Sequence, residues 1–387
     1  MANEALVHSD NVQGPATHII AIGVGSYDHL DGGTGRTTSH GEGMGQLTSA
    51  PVSLAAFADW AIRSFRHGEK PLASVRLVAS GLPQGRYRHP VDNRDFDIPE
   101  ATLPNVRQAI SEWKAAGDSD ERNLLIFYFV GHGIAMGAEQ SLLLGDFGAD
   151  DNAPLDGAID FMKMRVGMQR CQARQQVYFV DACRAISDRL LGGGYGGQPI
   201  IQPGLQGYRG EVACEAPVYF ATLLGDEAYG RPAQISIFTD ALLRSFRGAG
   251  SDEAEGDWRI RTTNLTTALD FFMRRARERG LEIIQKPAST DASAFFIHYL
   301  PGRPEVPVVL RCDPKAAEQH VVFQYADESG QVTDSTTGPL DVDLPEGRYR
   351  FSCSFPAAPQ GAGYRAASLS QYLHPPYFSP PPLKVSR

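Results

Sequence analysis

The sequence has no apolar stretch long enough to span a bilayer. Its longest unbroken run, Leu124 to Val130, is far short of the roughly 20 residues a membrane helix needs. Cysteine is scarce too: five thiols, at 171, 183, 214, 312 and 353, are odd in number and nowhere form a C-x-x-C pair. That pattern excludes a disulfide framework or a structural zinc site. The first residues, M-A-N-E-A-L-V-H-S-D, carry neither a basic stretch nor an apolar core, so no secretory signal is expected and a reducing, cytoplasmic location is. Excess basic charge is also missing. A formal net charge of −9 argues against binding to a phosphate backbone, so neither nucleic acid nor membrane is expected as a partner. Arg274, Arg275, Arg277 and Arg279 read as the solvated face of an amphipathic helix. The Gly-rich stretches 31–45 and 192–197 lack the G-K-[ST] ending of a phosphate cradle. D-F-G-A-D-D at 146–151 has no EF-hand spacing. A solvated acidic loop is expected there, and no metal or cofactor.

What is present is a core and a clear alternation of elements. Apolar residues make up 42% of the 387, enough to fold as a packed protein. T-H-I-I-A-I-G-V-G-S-Y, from Thr17, reads as a first buried strand, and S-V-R-L-V-A-S as a second. Helical spacing follows Pro51 (Leu54, Phe57, Ala58, Ile62, Phe65) and Pro104 (Val106, Ile110, Trp113), each proline suiting a first turn. Further strands are expected at 124–133, 176–183 and A-P-V-Y-F-A-T-L, with helices near 160–172, 236–247 and 264–279. A-F-F-I-H-Y-L closes the domain near 300. Strand–helix alternation specifies an α/β domain with a mainly parallel sheet and helices on both faces. This leaves an N-terminal extension at 1–15 and a domain at 16–300. Pro301, Pro304 and Pro307 mark a linker at 301–307. Short alternating segments separated by turn signals then read as a small C-terminal all-β, sandwich-like domain at 308–387, with a Pro-rich tail.

The chemistry sits at two strand ends. L-L-I-F-Y-F-V-G-H-G (124–133) and Q-V-Y-F-V-D-A-C-R (176–184) are runs fit for strands buried on both faces, and they deliver His132 and Cys183. In parallel α/β sheets the carboxyl ends of the strands are where ligands bind. A thiol and an imidazole about 50 residues apart, each at such an end, are placed to act as nucleophile and acid–base partner. Glycines on both sides of His132 let the backbone turn and approach a substrate. The N–H groups of Gly133 and Cys183 are candidates for an oxyanion hole. Cys171, Cys214, Cys312 and Cys353 have no such setting and read as packing residues.

Y-F-V-G-H-G and F-V-D-A-C-R resemble the catalytic His and Cys motifs of the caspase-like cysteine peptidase clan, in particular its bacterial and metacaspase-type members. H-I-I-A-I-G-V-G-S-Y is similar to the clan's first strand and I-F-T-D-A-L-L to a helix of its small subunit, so the resemblance covers 16–300. It implies a cysteine endopeptidase acting on proteins or peptides. Caspases proper have Gln two positions before the nucleophile. Here that position is Asp181, which in metacaspase-like relatives lines a pocket for Arg or Lys. Ser53 falls where many metacaspases carry a second pocket Asp. Tyr229 is a candidate wall of the neighbouring subsite, with Asp226 and Glu227 adding negative charge. The stretch 184–217 occupies the place of the cleavable linker between large and small subunits, with Arg189 and Arg209 as candidate processing sites. The resemblance therefore implies a zymogen switched on by self-cleavage, an upstream protease, calcium or a regulatory protein, and a role in bacterial stress or antiviral defence circuits. Two other readings stay open from the residues alone: an inactive scaffold that binds partners through the β-domain, and a thiol-dependent hydrolase or transferase acting on a small molecule.

Overall fold

The computed structural model describes residues 5–136, 139–183, 185–186, 196–202, 214–222, 232–278, 286–291, 293–330, 332–334, 340–355, 363–377 and 382–386. Contacts divide the chain into two compact units. One comprises Met1–Leu243 with Phe272–Tyr299, the other Arg244–Phe271 with Leu300–Arg387. The second unit therefore adds Arg244–Phe271 to the stretch that follows the Pro-rich linker.

The first unit is built on a seven-stranded sheet: β1 (Leu6–Ser9), β2 (Thr17–Val24), β3 (Leu72–Ser80), β4 (Leu124–Val130), β5 (Gln175–Asp181), β6 (Val218–Phe220) and β7 (Ala288–Thr290). The order is β1-β3-β2-β4-β5-β6-β7. The five inner strands are parallel, and the two edge strands join antiparallel. This is the mixed α/β architecture with a mainly parallel sheet that the alternation of elements predicts.

Side chains alternate across β4, and the two faces meet different helices. On one face Tyr128 stacks on Phe57 of helix α1 (Ser49–Arg63), ring centroids 4.2 Å apart, and its hydroxyl meets Thr239 of helix α4 (Ile237–Arg244). On the other, Phe127 and Tyr178 of β5 pack against Trp113 of helix α2 (Leu103–Gly117) and Phe161 of helix α3 (Phe161–Met168). Trp113 is fully buried, and its indole N–H donates to the His18 carbonyl at 3.0 Å. Both faces of the sheet are covered, which is why β2 and β4 are buried along their whole length.

Three features depart from the sequence expectation. Leu6–Ser9, inside the expected extension, pairs with β3 as an edge strand. Phe296–Tyr299 forms the expected last strand at the end of the first unit but lies outside the central sheet, whose edge is Ala288–Thr290, a segment too short and polar to read as a strand. His298 instead packs its ring on Trp60 and Phe65, and Tyr299 N–H donates to Arg66. The chain beyond β4 is also not a plain loop. Gly133–Met136, Glu139–Leu143 and Ala158–Asp160 form a second sheet, joined at its edge by Ala185–Ile186.

The second unit begins with a helical turn, Ser245–Ala249, followed by a hairpin of Ser251–Ala254 with Asp257–Arg261. Its β-rich part pairs Glu305–Leu310 antiparallel with Leu340–Pro345, and adds an antiparallel sheet of Val332–Asp334, Val322–Ala326, Gly347–Ser354 and Ala367–Leu373. Val306, Val308, Leu310, Phe323, Leu340, Phe351 and Leu373 from these strands form one buried cluster. Arg244 grips both oxygens of Asp343 at 2.6 and 2.8 Å. No described helix is long and apolar enough to cross a membrane.

Candidate active site

β4 and β5 run side by side with Asp181 opposite Val130. The pairing resumes four residues later in the same register, with Ala185 opposite Ile134. Cys183 is therefore opposite His132 at the point where the two strands part. Backbone contacts keep the gap narrow: Gly131 N–H donates to the Asp181 carbonyl at 3.1 Å, and the buried Gln140 amide reaches the Cys183 carbonyl at 3.4 Å. A Cβ on Gly133 would stand 2.6 Å from the Cys183 carbonyl oxygen, so only glycine lets the segments approach this closely. Gly133→Ala is expected to push Cys183 away from His132. Any Cys183-dependent turnover should then fall at least about tenfold without loss of fold, as followed by peptide cleavage rates and circular dichroism.

His132 is held at both ends. Its backbone N–H donates to the Tyr27 hydroxyl at 2.7 Å, and its Nε2 lies 2.8 Å from the Gly45 carbonyl. A carbonyl can only accept, so Nε2 carries the hydrogen and the neutral ring keeps its lone pair on Nδ1. The Tyr27 ring lies against the imidazole, centroids 4.9 Å apart. Burial lowers the His132 pKa, and the Gly45 carbonyl offsets this only in part. At neutral pH the ring is therefore uncharged and able to accept a proton. Cys183 is partly buried and forms no disulfide.

Asp181 follows Phe179 on the face of the sheet that meets α4, and is buried there. Its Oδ2 accepts the Ser236 hydroxyl and, at 2.7 Å, that of Thr239. Since Thr239 spends its one hydroxyl proton on Asp181, the buried Tyr128 hydroxyl donates to Thr239 at 2.6 Å. Burial raises the Asp181 pKa to about 6, against the lowering effect of the Ser236 and Thr239 bonds. Ser53 is also buried. Its hydroxyl donates to the Ser49 carbonyl and accepts the Ser236 N–H, so it fastens the entry to α4 rather than presenting a charge.

Sequence reasoning missed Ser236, Thr239, Tyr128, Tyr27, Gly45 and Gln140. Only Ser236 had a local signal. It is a serine immediately before an apolar helical run, and its Oγ accepts the Thr239 N–H as a helix cap does. Asp226, Glu227, Tyr229, Arg189 and Arg209 lie outside the described residues. The acidic stretch 146–151 is not simply solvated. Asp146 accepts the Leu103 N–H at the start of α2. Asp151 accepts the Thr38 hydroxyl at 2.7 Å and the Ser39 N–H, pinning the Gly-rich loop to this stretch. Among the described residues no three His, Cys, Asp or Glu side chains are grouped to hold a metal.

Residues 88–279, which include His132, Cys183 and Asp181, match the caspase domain family model. Over that segment the chain is similar to a caspase domain. An uncharacterized protein of Sinorhizobium fredii, y4kE, is 24% identical over 314 residues, covering 79% of this chain and 88% of its own. Among solved structures, caspase-1 of Spodoptera frugiperda aligns with a TM-score of 0.39 at 14% identity, over 74% of this chain and 95% of its own. Protein GSU0716 of Geobacter sulfurreducens aligns with a TM-score of 0.44 at 13% identity, over 74% of this chain and 98% of its own. The caspase-like match begins after Tyr27 and Gly45, the two residues that hold His132.

Proposed function

We propose that this protein is a cysteine endopeptidase that cleaves proteins after Arg, and less readily after Lys, through a Cys183–His132 dyad. The observation that carries the reading is the register that sets Cys183 opposite an imidazole whose Nε2 is engaged by Gly45, leaving Nδ1 for the thiol. The Cys183 sulfur attacks the scissile carbonyl as its proton passes to His132. His132 returns that proton to the departing amine, leaving a thioester that water then hydrolyses. The N–H groups of Gly133 and Cys183 receive the developing oxyanion. Asp181 supports the preference for Arg: its carboxylate is held in place through Oδ2 by two hydroxyls and carries the negative charge with which a guanidinium would pair. Activation by cleavage at Arg189 or Arg209, with an upstream protease, calcium or a regulatory protein as trigger, and a part in a bacterial defence cascade belong to the same proposal.

The test is a peptidyl-arginine electrophile, matched by aspartyl and lysyl analogues, with the modified residue mapped by mass spectrometry. Labelling of Cys183 fastest by the arginyl probe is expected. Absence of labelling by all three would favour the inactive scaffold, and preference for the aspartyl probe would overturn the Arg assignment. The same spectra map cuts within 184–217; a fully active, uncut chain would remove proteolytic activation.

A further inference from the structure

Both contacts that hold His132 converge on one side chain outside the dyad. The Tyr27 hydroxyl accepts the His132 N–H, and the Gly45 carbonyl accepts Nε2–H. Gln46 is the next residue in the chain after Gly45. Its Oε1 accepts the Tyr27 N–H at 2.8 Å, and its Nε2 donates to the Tyr27 carbonyl at 3.1 Å and the Asp31 carbonyl at 3.0 Å. The amide thus bonds both backbone groups of Tyr27 and turns in only one sense, because exchanging its ends would set oxygen against two carbonyls. The loop returns on itself at the same place, with Asp31 N–H donating to Met44 and Asp31 bridged to Gly45. Tyr27 is fully buried, and a Cβ on Gly131 would stand 2.9 Å from its hydroxyl. Its ring therefore has no room to follow a shifted backbone.

We propose that Gln46 is a positioning residue of the dyad, which ties Tyr27 and Gly45 into one unit and so sets the orientation and tautomer of His132. Its catalytic consequence rests on the peptidase reading; its geometry does not. Proton transfer needs Nδ1 aimed at the thiol, and displacing a reacting group by about 1 Å can cost on the order of a hundredfold in rate. Without Gln46, Gly45 and Tyr27 move independently, Nε2 loses its fixed acceptor, and the ring can carry its proton on either nitrogen. The role assigned to Gln46 is exerted through His132 alone, so KM is expected to hold.

The experiment compares wild type with Gln46→Glu, which keeps the shape and turns both donor contacts repulsive, and with Tyr27→Phe, which removes only the hydroxyl. With an arginyl fluorogenic peptide, kcat should fall about ten- to a hundredfold while KM stays within about twofold. Nitrogen-15 spectra of ring-labelled histidine, with the His132 signal assigned by difference against His132→Gln, should show an Nε2–H ring in wild type and a tautomer mixture in Gln46→Glu, while Tyr27→Phe, which frees only the His132 backbone N–H, keeps the Nε2–H ring. If Gln46→Glu does not fold, Gln46→Met keeps the length and drops all three bonds. Full kcat together with an unchanged Nε2–H ring would overturn the proposal, as would a loss confined to KM. If the wild type cuts no peptide, the peptidase reading fails, and the nitrogen spectra still decide the role of Gln46.

Discussion

Cys183→Ala is expected to abolish peptide cleavage, a loss of at least about 10⁴-fold, while leaving the fold and melting temperature close to wild type. The side chain is small, partly buried and at the mouth of the sheet rather than in the aromatic layers around Tyr128 and Phe127, so its removal opens no large cavity. His132→Ala should lose nearly as much. The double variant should lose no more than either single one, because thiol and imidazole act as one unit. The pH profile adds an independent check. Burial lowers the His132 pKa, so the uncharged ring persists below the ordinary histidine midpoint near 6.5. The His132 limb of kcat/KM should accordingly lie below that pH. The sign for stability is the same: the unfolded chain binds the proton more tightly, so stability is lost as the pH falls through the folded pKa. Substantial turnover by Cys183→Ala, or an acid limb above the ordinary histidine range, would sink the dyad.

The parts of this molecule that repeat a simple physical pattern were legible in the sequence. β4 and β5 announced themselves because a strand buried on both faces is continuously apolar, and the residues at their ends then stood out against that background. Pro51 and Pro104 fall in the first turns of α1 and α2 as expected. What could not be read depends on contacts distant in sequence. Gly45 gives a carbonyl to a residue 87 positions away, and Tyr27 a hydroxyl across 105. Neither residue type marks such a role, and the loop between them reads only as Gly-rich. The short strands Leu6–Ser9 and Ala288–Thr290 fail for a related reason. Each is recruited by an open sheet edge, and carries too little apolar pattern of its own to call for pairing.

Asp181→Asn is expected to erase most of the preference for Arg over neutral residues while sparing cleavage itself. The substitution keeps an oxygen to accept from Ser236 and Thr239 and removes the charge that would pair with a guanidinium. A desolvated ion pair that loses one partner commonly costs about 3–5 kcal/mol, so the Arg-to-neutral ratio of kcat/KM should drop at least about a hundredfold. In wild type that ratio should itself depend on pH. Burial raises the Asp181 pKa to about 6, so the carboxylate is ionised at neutral pH and protonated below. Discrimination for Arg should fade as the pH drops through this value, and the asparagine variant should show no such change. Stability moves the opposite way. A carboxyl whose folded pKa lies above its unfolded value near 3.9 contributes stability that is present at low pH and lost as the pH rises through the folded pKa. The two-unit rise corresponds to roughly 2–3 kcal/mol, and urea denaturation should find Asp181→Asn gaining on wild type between pH 4 and pH 7 by a figure of about that order. A purely structural carboxylate would show the stability change alone, with the Arg preference intact at every pH. Loss of both together is the outcome that makes Asp181 the determinant of specificity.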